Sequence, residues 1–283
     1  TFCARTVLVN ENKFREPAHM NFELFKKIID EATEIGTFSV NLNLLNEPLT
    51  NPELVKMIKY AKMKGIVDVH FHSHGGLLTE KKSLELIDSG LDKLLVSIDS
   101  PKKESYEKLR VLSKFDSVIS NLKRFKEIRD SHQSLQPLIK CLFIEFPGIT
   151  QEEIQENLEF GLNLADCVGF QGYIDPTNTI GEKKEYKRDY KSSFACQQPF
   201  TRLSIAEDGT VSPCCLDHEF DLSVGNVKTK SITELWKSKE MEMMRNKQKN
   251  GKFFEIPRCR NCQLATDADE GIPTQFETYG PTI

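Results

Sequence analysis

Apolar positions between residues 20 and 174 follow two patterns in turn. Some recur every three or four residues, which is typical of amphipathic helices, and others form short continuous runs, which are typical of buried strands. The first pattern predicts helices that begin near Asn21, Asn51, Thr79 and Thr150, and further helices near 102–110 and 115–130. The second pattern predicts strands over 38–45, 66–73, 94–98, 137–146 and 168–174.

Strands that alternate with helices imply a parallel sheet, either open or curled into a barrel. Five strands are visible in the sequence, and a further strand is expected upstream of Thr1. Ligands of such folds bind at the carboxyl ends of the strands. The candidate ligand-binding segments are therefore 45–48, 73–76, 97–100, 145–147 and 173–175.

The chain changes in character after residue 175. A charged run over 182–191 predicts a solvated connector. Beyond it, the sequence predicts a hairpin over 201–206 and 210–214 with Gly209 in its turn, and an amphipathic helix over 231–249. We therefore predict two domains, 1–180 and 181–283, and the second is a small α+β domain.

The composition narrows the class of protein. Lys and Arg total 38 against 42 Asp and Glu, which gives a net charge of −4. This balance argues against a dedicated nucleic-acid binder, because such proteins carry a basic excess. No apolar run approaches the roughly 18 residues that a membrane span needs. We expect a cytoplasmic protein with no nucleic-acid or membrane partner.

The eight cysteines suggest a metal or redox site. An even number permits disulfides, but a chain of this length does not need them and no signal-peptide pattern marks secretion. Cys196 and Cys214 flank the predicted turn at Gly209, and two residues separate Cys259 from Cys262. Four thiolates in two pairs suit either a tetrahedral zinc ion or an iron–sulfur cluster. The spacing alone leaves both alternatives open.

The remaining cysteines and the clustered histidines are predicted to have other roles. Cys141 and Cys167 lie on or beside predicted strands and are expected in the core. Cys214, and not Cys215, has the expected spacing from the turn glycine Gly209, so Cys215 is not predicted to be a ligand. The histidines at 70, 72 and 74 fall on one face of a strand, where packing is favoured over a metal site.

Two segments near the N-terminus contain candidate cofactor-binding motifs, namely Thr1-Phe2-Cys3 and Asn43–Leu49. The first resembles the end of the Cys-x3-Cys-x2-Cys motif of the radical S-adenosylmethionine (radical SAM) superfamily, and the second is similar to the Gly-Gly-Glu-Pro segment of these enzymes. Leu45 and Asn46 replace both glycines, whereas Glu47 and Pro48 match. The resemblance implies that Cys3 binds the catalytic 4Fe–4S cluster. It also implies that the other two cysteines lie upstream, so a truncated and inactive fragment is expected.

The next segments extend this resemblance along the sheet. Ser73-His74-Gly75 stands where the superfamily often has Thr-Asn-Gly. Leu94–Asp99, followed by Glu104–Arg110, resembles the fourth strand and the helix after it. By this resemblance, Glu47 holds the amino group of S-adenosylmethionine, and Ser97 and Arg110 contact its ribose and carboxylate. Ser73 is a further candidate cofactor-binding residue.

The C-terminal cysteines resemble the SPASM/twitch extension of the superfamily. Cys196, Cys214, Cys259 and Cys262, with Gly209 between the first two, match its auxiliary 4Fe–4S site. The further cysteines of a full SPASM domain are absent from the sequence, so the shorter twitch form with one auxiliary cluster is the better match. The four-cysteine spacing is very similar to that of the 2-deoxy-scyllo-inosamine dehydrogenases, which oxidise an alcohol on a cyclitol. Peptide-modifying enzymes share the extension.

The resemblance implies a partial (β/α)6 TIM-like barrel followed by the small α+β domain. It implies reductive cleavage of S-adenosylmethionine to a 5′-deoxyadenosyl radical, which abstracts hydrogen from a small-molecule or peptide substrate. An electron donor such as flavodoxin or ferredoxin is the implied protein partner. The alternative is a zinc-binding interaction protein built on a degenerate barrel.

Overall fold

The computed structural model describes residues 3–13, 18–176, 195–260, 262–265 and 277–279. The chain divides into two compact units. The first unit is built on Gly36–Tyr173 and the strand at 277–279, and the second on Ile174–Thr274 together with the N-terminal segment up to Ile35. The predicted domain boundary near residue 180 and the charged run over 182–191 lie outside the described residues.

Two helices open the chain and belong to the second unit, namely α1 (Ala4–Asn10) and α2 (Phe22–Glu34). Asn21 caps α2, because its side-chain oxygen accepts hydrogen bonds from the backbone N–H groups of Glu23 and Leu24. The helix therefore begins where the sequence predicts. It turns Leu24 and Ala32 toward the core of the second unit.

The first unit is an α/β layer around a parallel sheet. Its strands are β1 (Ser39–Asn41), β2 (Asp68–Ser73), β3 (Lys93–Ser97), β4 (Leu138–Glu145) and β5 (Cys167–Gly172). Its helices are α3 (Leu54–Met63), α4 (Glu80–Ile87), α5 (Lys103–Leu109), α6 (Phe115–Ser131) and α7 (Gln151–Leu164). The five strands pair in sequence order and every pair among them is parallel. The predicted α/β class is confirmed, and consecutive pairing is the order of a barrel wall.

The two faces of this sheet differ in chemistry. One face is apolar and at most 1% exposed, and it consists of Val69, Phe71, Leu94, Val96, Ile139, Cys141, Phe143, Val168 and Phe170. Helix α7 packs there so closely that a Cβ added to Gly161 would lie 2.5 Å from Val168 Cγ2. The opposite face carries His70 and His72, with Lys93 paired to His70. Polar side chains therefore lie on the face of the sheet opposite the apolar core.

Strand β1 is shorter than the predicted strand 38–45, because asparagine side chains take over the backbone pairing. Asn43 Oδ1 accepts from the N–H of His72, Asn41 Oδ1 from the N–H of Asn43, and Asn46 Oδ1 from the N–H of Leu44. Such local side-chain bonds compete with a regular ladder. The chain thus leaves the sheet early and forms the loop that contains Glu47.

The second unit continues with short elements. They are α8 (Gln198–Thr201), β6 (Ser204–Ile205), β7 (Thr210–Ser212), β8 (Gly225–Asn226), α9 (Ile232–Trp236), α10 (Lys239–Lys249) and α11 (Pro257–Arg260). Strands β6 and β7 form the predicted hairpin, and Gly209 at φ +88° makes its turn. Strand β8 pairs antiparallel with β7.

One apolar core joins these elements. It contains Leu24, Ala32, Val211, Val224, Val227, Ile232, Leu235, Met241, Met244 and Ile256. The N-terminal helix α2 is tied to the unit by polar bonds as well. The ammonium of Lys27 donates to the carbonyl oxygen of Val227, and Glu31 accepts from the N–H of Ile232. The core of this unit is therefore built from both ends of the chain.

Two features differ from the sequence-based expectation. The predicted helix 231–249 is interrupted at Lys237, because Ser238 caps a new helix by accepting from the N–H of Met241. In the first unit, β9 (Glu277–Tyr279) adds to β5 in antiparallel orientation. Among the described residues, no helix has the length and apolar character that a membrane crossing requires.

Candidate functional site

Glu47 lies at the carboxyl edge of the sheet and is held by three hydrogen bonds. Its Oε1 accepts from Ser73 Oγ at 2.9 Å and from the N–H of Leu49 at 3.2 Å. Its Oε2 accepts from the N–H of His74 at 3.0 Å, and His74 Nε2 lies 3.5 Å away. A carboxylate accepts about four hydrogen bonds. Glu47 therefore keeps capacity for another donor, such as the ammonium group of a ligand.

Ser73 supports Glu47 from the end of β2. Its hydroxyl donates to Glu47 and accepts from the N–H of Gly75 at 2.9 Å, and the residue is 3% exposed. Gly75 has φ +76°, and a Cβ there would lie 3.1 Å from Val96 Cγ1. Asn121 donates to the carbonyl oxygens of Gly75 and Gly76. The loop after β2 is thus fixed by its own turn and by α6.

Arg110 and Asp99 form a buried ion pair beyond the end of β3. Arg110 Nε and Nη2 lie 2.7 and 2.5 Å from Asp99 Oδ2. The Asp99 side chain is 1% exposed, and this burial raises the pKa of its carboxyl group against the opposing effect of Arg110. Asp99 also has φ +60°. Ser97, at the end of β3, is half-buried.

Two histidines of β2, His70 and His72, lie on the polar face of the sheet. Burial lowers the pKa of His72 to about 4, and His70 and Lys140 contribute to the shift. His70 and His72 lie on one face as predicted, with ring centroids 6.5 Å apart. Gly169 on β5 leaves space for Lys140, because a Cβ there would lie 2.4 Å from Lys140 Cε.

Five cysteines of the second unit line one cavity of about 50 Å³, namely Cys196, Cys214, Cys215, Cys259 and Cys262. A single water needs roughly 10–15 Å³ measured in this way, so the space exceeds one solvent molecule. The rest of the wall is mostly apolar and includes Pro199, Leu222, Phe253 and Ile256. The structure therefore brings together all four cysteines of the predicted auxiliary site and places Cys215 beside them.

Polar side chains fix the backbone at these cysteines. Gln248, 2% exposed, accepts from the N–H of Cys196 at 3.0 Å, and Ser212 Oγ accepts from the N–H of Cys214 at 3.3 Å. No sequence motif identifies Gln248. The available indication is that Gln248 is a polar residue on the same helical face as Met241 and Met244.

The thiols in this cavity are strongly desolvated. Burial raises the pKa of Cys196, of Cys214 and of Cys215, and a neighbouring arginine, Arg202, lowers that of Cys215 in part. Cationic iron or zinc offsets such a penalty, because metal binding stabilises thiolates and releases protons. The cavity thus has the donor chemistry of a metal-binding site.

A buried arginine adjoins the cysteines. Arg258 precedes Cys259, is 8% exposed and lines the cavity. Its Nε lies 3.3 Å from Asp217 Oδ1, and its Nη1 lies 3.1 Å from Glu219 Oε2. The side chain of Asp217 is completely buried. The sequence offered one signal for Arg258, its position next to the second cysteine pair.

The donor set of this cavity is one that iron–sulfur clusters use. Among the described residues, no three His, Cys, Asp or Glu side chains come close enough together to share a single ion. In a 4Fe–4S cluster each cysteine binds a different iron, so the ligands surround a larger volume. Four soft thiolates in a mostly apolar wall provide the ligand set of such a cluster.

The three remaining cysteines lie elsewhere. Cys3 is exposed and precedes α1, where its carbonyl oxygen accepts from the N–H groups of Thr6 and Val7. Cys141 and Cys167 are buried, as predicted for core residues. Burial raises the pKa of Cys141 to about 12, so it is inert as a thiolate.

Two family models match the chain over the regions just described. The radical SAM superfamily model matches residues 1–161, more than half of the 283 residues. The chain belongs to the radical SAM superfamily. The SPASM model, an iron–sulfur cluster-binding domain, matches residues 196–263. This radical SAM protein therefore has a 4Fe–4S cluster and S-adenosylmethionine as cofactors and an auxiliary iron–sulfur cluster. The zinc alternative is not supported.

Curated relatives extend over most of the chain at low identity. The tungsten-containing aldehyde ferredoxin oxidoreductase cofactor-modifying protein of Pyrococcus furiosus is 21% identical over 94% of this chain and 85% of its own length. A probable GTP 3′,8-cyclase of Methanococcus maripaludis is 28% identical over 73% of this chain and 78% of its own length.

Solved structures share the fold. BtrN in complex with AdoMet and 2-DOIA has a TM-score of 0.58 and 16% identity, and the match covers 93% of this chain and 87% of that chain. SuiB of Streptococcus suis bound to its precursor peptide SuiA has a TM-score of 0.65 and 14% identity, and the match covers 82% and 61%. At these identities the likeness shows the fold alone.

Proposed function

We propose that the chain is a radical SAM enzyme that abstracts a hydrogen atom from a small cyclitol- or sugar-like alcohol and oxidises it. The observation that carries this proposal is the single cavity shared by Cys196, Cys214, Cys259 and Cys262. One set of four cysteines supports one auxiliary cluster, as in the cyclitol dehydrogenases whose cysteine spacing the sequence resembles. The match to BtrN, which was solved with 2-DOIA, supports the same substrate class.

Bound S-adenosylmethionine and its cluster would supply hydrogen-atom abstraction from the carbinol carbon, and a bound auxiliary cluster would supply one-electron oxidation of the substrate radical, with the hydroxyl proton released to water. The chain's own residues bind and orient these groups. We assign Cys3 to the catalytic cluster and the four cysteines of the cavity to the auxiliary cluster. Arg110 and Ser97 stay proposed ligands of the carboxylate and ribose of S-adenosylmethionine.

Glu47 is the residue that we assign to the ammonium group of S-adenosylmethionine. Its three hydrogen bonds fix the carboxylate before a ligand arrives, and its remaining acceptor capacity suits a cation. Ser73, which already donates to Glu47, then acts as a positioning residue for that carboxylate. His74 also lies at this edge and can contact Glu47 through its ring.

Peptide modification is the second candidate. The structure of SuiB with its precursor peptide has the higher TM-score of the two neighbours, 0.65 against 0.58. That match leaves more of the neighbour uncovered, since it spans 61% of the SuiB chain against 87% of BtrN. The alcohol substrate is therefore favoured.

The test is anaerobic reconstitution of the natural protein with iron and sulfide. We expect roughly eight irons per chain and 5′-deoxyadenosine on reduction with S-adenosylmethionine present. Aminocyclitols deuterated at the carbinol carbon should transfer deuterium into 5′-deoxyadenosine. Transfer from a peptide panel instead would favour the second candidate. One zinc per chain, with no iron and no 5′-deoxyadenosine, would refute both.

A further inference from the structure

Arg258 has two buried nitrogens, Nε and Nη2, without a hydrogen-bond partner among the described residues, and Nη2 needs the explanation because Nε still lies 3.3 Å from Asp217 Oδ1. Its side chain is 6% exposed, and the residue lines the cavity that the cysteines share. Nε and Nη1 face the carboxylates of Asp217, Glu219 and Asp221. Nη2 is buried and has no hydrogen-bond partner among the described residues. A buried charged N–H group without an acceptor is costly, so an acceptor is expected beside it.

We propose that Arg258 Nη2 donates a hydrogen bond to the sulfur atoms of the auxiliary cluster and raises its reduction potential. The proposal rests on the assignment of Cys196, Cys214, Cys259 and Cys262 as ligands. The thiolates and sulfides of such a cluster are hydrogen-bond acceptors, and they would occupy the cavity that Arg258 lines. Arg258 is thus a positioning and tuning residue for the cluster, and does not ligate iron.

The guanidinium of Arg258 is held in place by carboxylates that are themselves fixed. Asp217 Oδ2 accepts from Ser212 Oγ at 2.8 Å and from the N–H of Leu222 at 2.9 Å. Its Oδ1 accepts from the N–H of Asp221 at 3.0 Å and also faces Arg258 Nε. The carboxylate is therefore fixed by Ser212 and by the loop that follows Cys214. Contacts at Nε and Nη1 fix the plane of the guanidinium, so the remaining nitrogen, Nη2, has a defined direction.

The expected electrochemical effect has a definite sign. One-electron reduction adds a negative charge to the cluster, and a hydrogen bond or a positive charge close to the sulfurs stabilises the more negative form. Arg258 supplies both. Glu219 and Asp221 neutralise part of its charge, since they lie 3.1 and 3.4 Å from Nη1. The directed N–H of Nη2 is then the main tuning interaction.

The test compares Arg258→Lys with Arg245→Lys in the reconstituted protein carrying Cys3→Ala, so that the auxiliary cluster is measured alone. Lysine keeps the charge and can still pair with Asp217, but it lacks the planar fork. Arg245 is the matched control, because its guanidinium stacks on Trp236 at 4.1 Å and its Nη2 also has no partner among the described residues.

We expect Arg258→Lys to lower the midpoint potential in an EPR-monitored titration. The ratio of reduced to oxidised cluster at fixed potential should fall about tenfold, which is 59 mV for a one-electron couple. Arg245→Lys should leave the midpoint unchanged. An unchanged midpoint in Arg258→Lys would overturn the proposal.

A spectroscopic measurement avoids dependence on the stability of the variant. With arginine labelled by ¹⁵N at the guanidinium, pulsed EPR of the reduced cluster should show a nitrogen coupling that Arg258→Lys removes and Arg245→Lys retains. Four irons per chain without any nitrogen coupling would refute the role of Arg258 and leave the cysteine assignment intact. Absence of iron in the Cys3→Ala protein would instead refute the ligand assignment itself.

Discussion

The site around Glu47 and the cavity of the four cysteines differ in how many of their polar groups find partners within the polypeptide. The Glu47 carboxylate accepts three hydrogen bonds from Ser73, Leu49 and His74. In the cavity, burial raises the pKa of Cys196 and Cys214, and Arg258 buries two nitrogens that have no hydrogen-bond partner among the described residues. In the first site the carboxylate has hydrogen-bond partners within the polypeptide, whereas in the second we expect the buried groups to be satisfied only when the proposed cluster is bound.

The difference follows from how each site is assembled. Ser73 ends β2, and Glu47 lies in the loop after the neighbouring parallel strand β1, so both residues come to the same edge of the sheet. The cysteines come from three separate segments of short elements, and their unit has strands of only two or three residues. Short strands contribute few cooperative hydrogen bonds. We therefore propose that the cluster assigned to these cysteines stabilises the second unit as a crosslink, whereas the sheet stabilises the first.

Loss of the auxiliary cluster is the largest expected effect. We expect Cys259→Ser to lose about half of the iron and to lose hydrogen-exchange protection at β6–β8, while β2–β4 keep theirs. Structural metal sites contribute on the order of 10 kcal/mol to folding, more than the usual stability of a domain. Iron analysis and hydrogen-exchange mass spectrometry on the holoprotein measure both outcomes.

Cys215→Ser is the matched control, because Cys215 lines the same cavity but is not assigned as a ligand. It should retain the full iron content. Equal loss of protection in both units of Cys259→Ser would contradict the comparison, and loss of iron in Cys215→Ser would replace Cys214 by Cys215 in the ligand set.

Removal of Arg110 from its ion pair should have the next largest effect, confined to the first unit. Arg110→Met leaves the fully buried carboxylate of Asp99 unpaired, which costs roughly 3–5 kcal/mol for a broken buried pair. Arg110→Lys retains the charge and should cost less. Hydrogen exchange at β3 and β4, followed over a series of urea concentrations, measures the loss in the free energy of unfolding. A change of under about 0.5 kcal/mol in Arg110→Met, the range of ordinary surface substitutions, would show that the pair is dispensable.

The sequence predicts the parts of both sites that local patterns encode. The five strands, the cap at Asn21 and the hairpin at Gly209 follow from apolar periodicity and turn chemistry, and the structure confirms them. The cysteine spacing predicts the shared cavity in the same way, because Cys259 and Cys262 are close enough in the chain to bind one group and the turn at Gly209 brings Cys214 back toward Cys196.

Contacts between distant residues escape such patterns. Arg258 meets Glu219 across 39 positions, and neither residue carries a periodic signal for the other. Arg110 looks like a surface helix residue until the fold places Asp99 beside it. The third strand of the small sheet and β9 are too short, at two and three residues, to show a period. These features depend on tertiary structure and not on propensity.

Acid should destabilise the first unit through His72. Its pKa is lowered to about 4 in the folded protein from a usual 6.5, mainly by burial. Between these values the unfolded chain binds a proton that the folded chain does not. Stability is therefore retained above pH 6.5 and lost as the pH falls toward 4, by roughly 3 kcal/mol in full.

His72→Gln should flatten this dependence for β2–β4. The second unit has its own neutral histidine, His218, whose pKa burial also lowers to about 4. Its acid sensitivity should therefore be unchanged in His72→Gln. Hydrogen exchange across pH 4–7, corrected for intrinsic rates, measures both units in one experiment. The same pH slope in the variant and in the wild type would exclude His72 as the cause.

The smallest expected effects concern the affinity for S-adenosylmethionine at the site around Glu47. Glu47→Gln keeps the shape and the bonds from Leu49 and Ser73 but removes the charge that pairs with an ammonium group. A hydrogen bond to a charged group contributes roughly 1.5–3 kcal/mol, so the dissociation constant should rise by about 10- to 150-fold. Ser73→Ala should raise it by about tenfold or less, because it only loosens the carboxylate. Calorimetry with the reconstituted, oxidised protein measures both, and a larger loss in Ser73→Ala than in Glu47→Gln would assign Ser73 to direct contact with the cofactor and remove Glu47 from it.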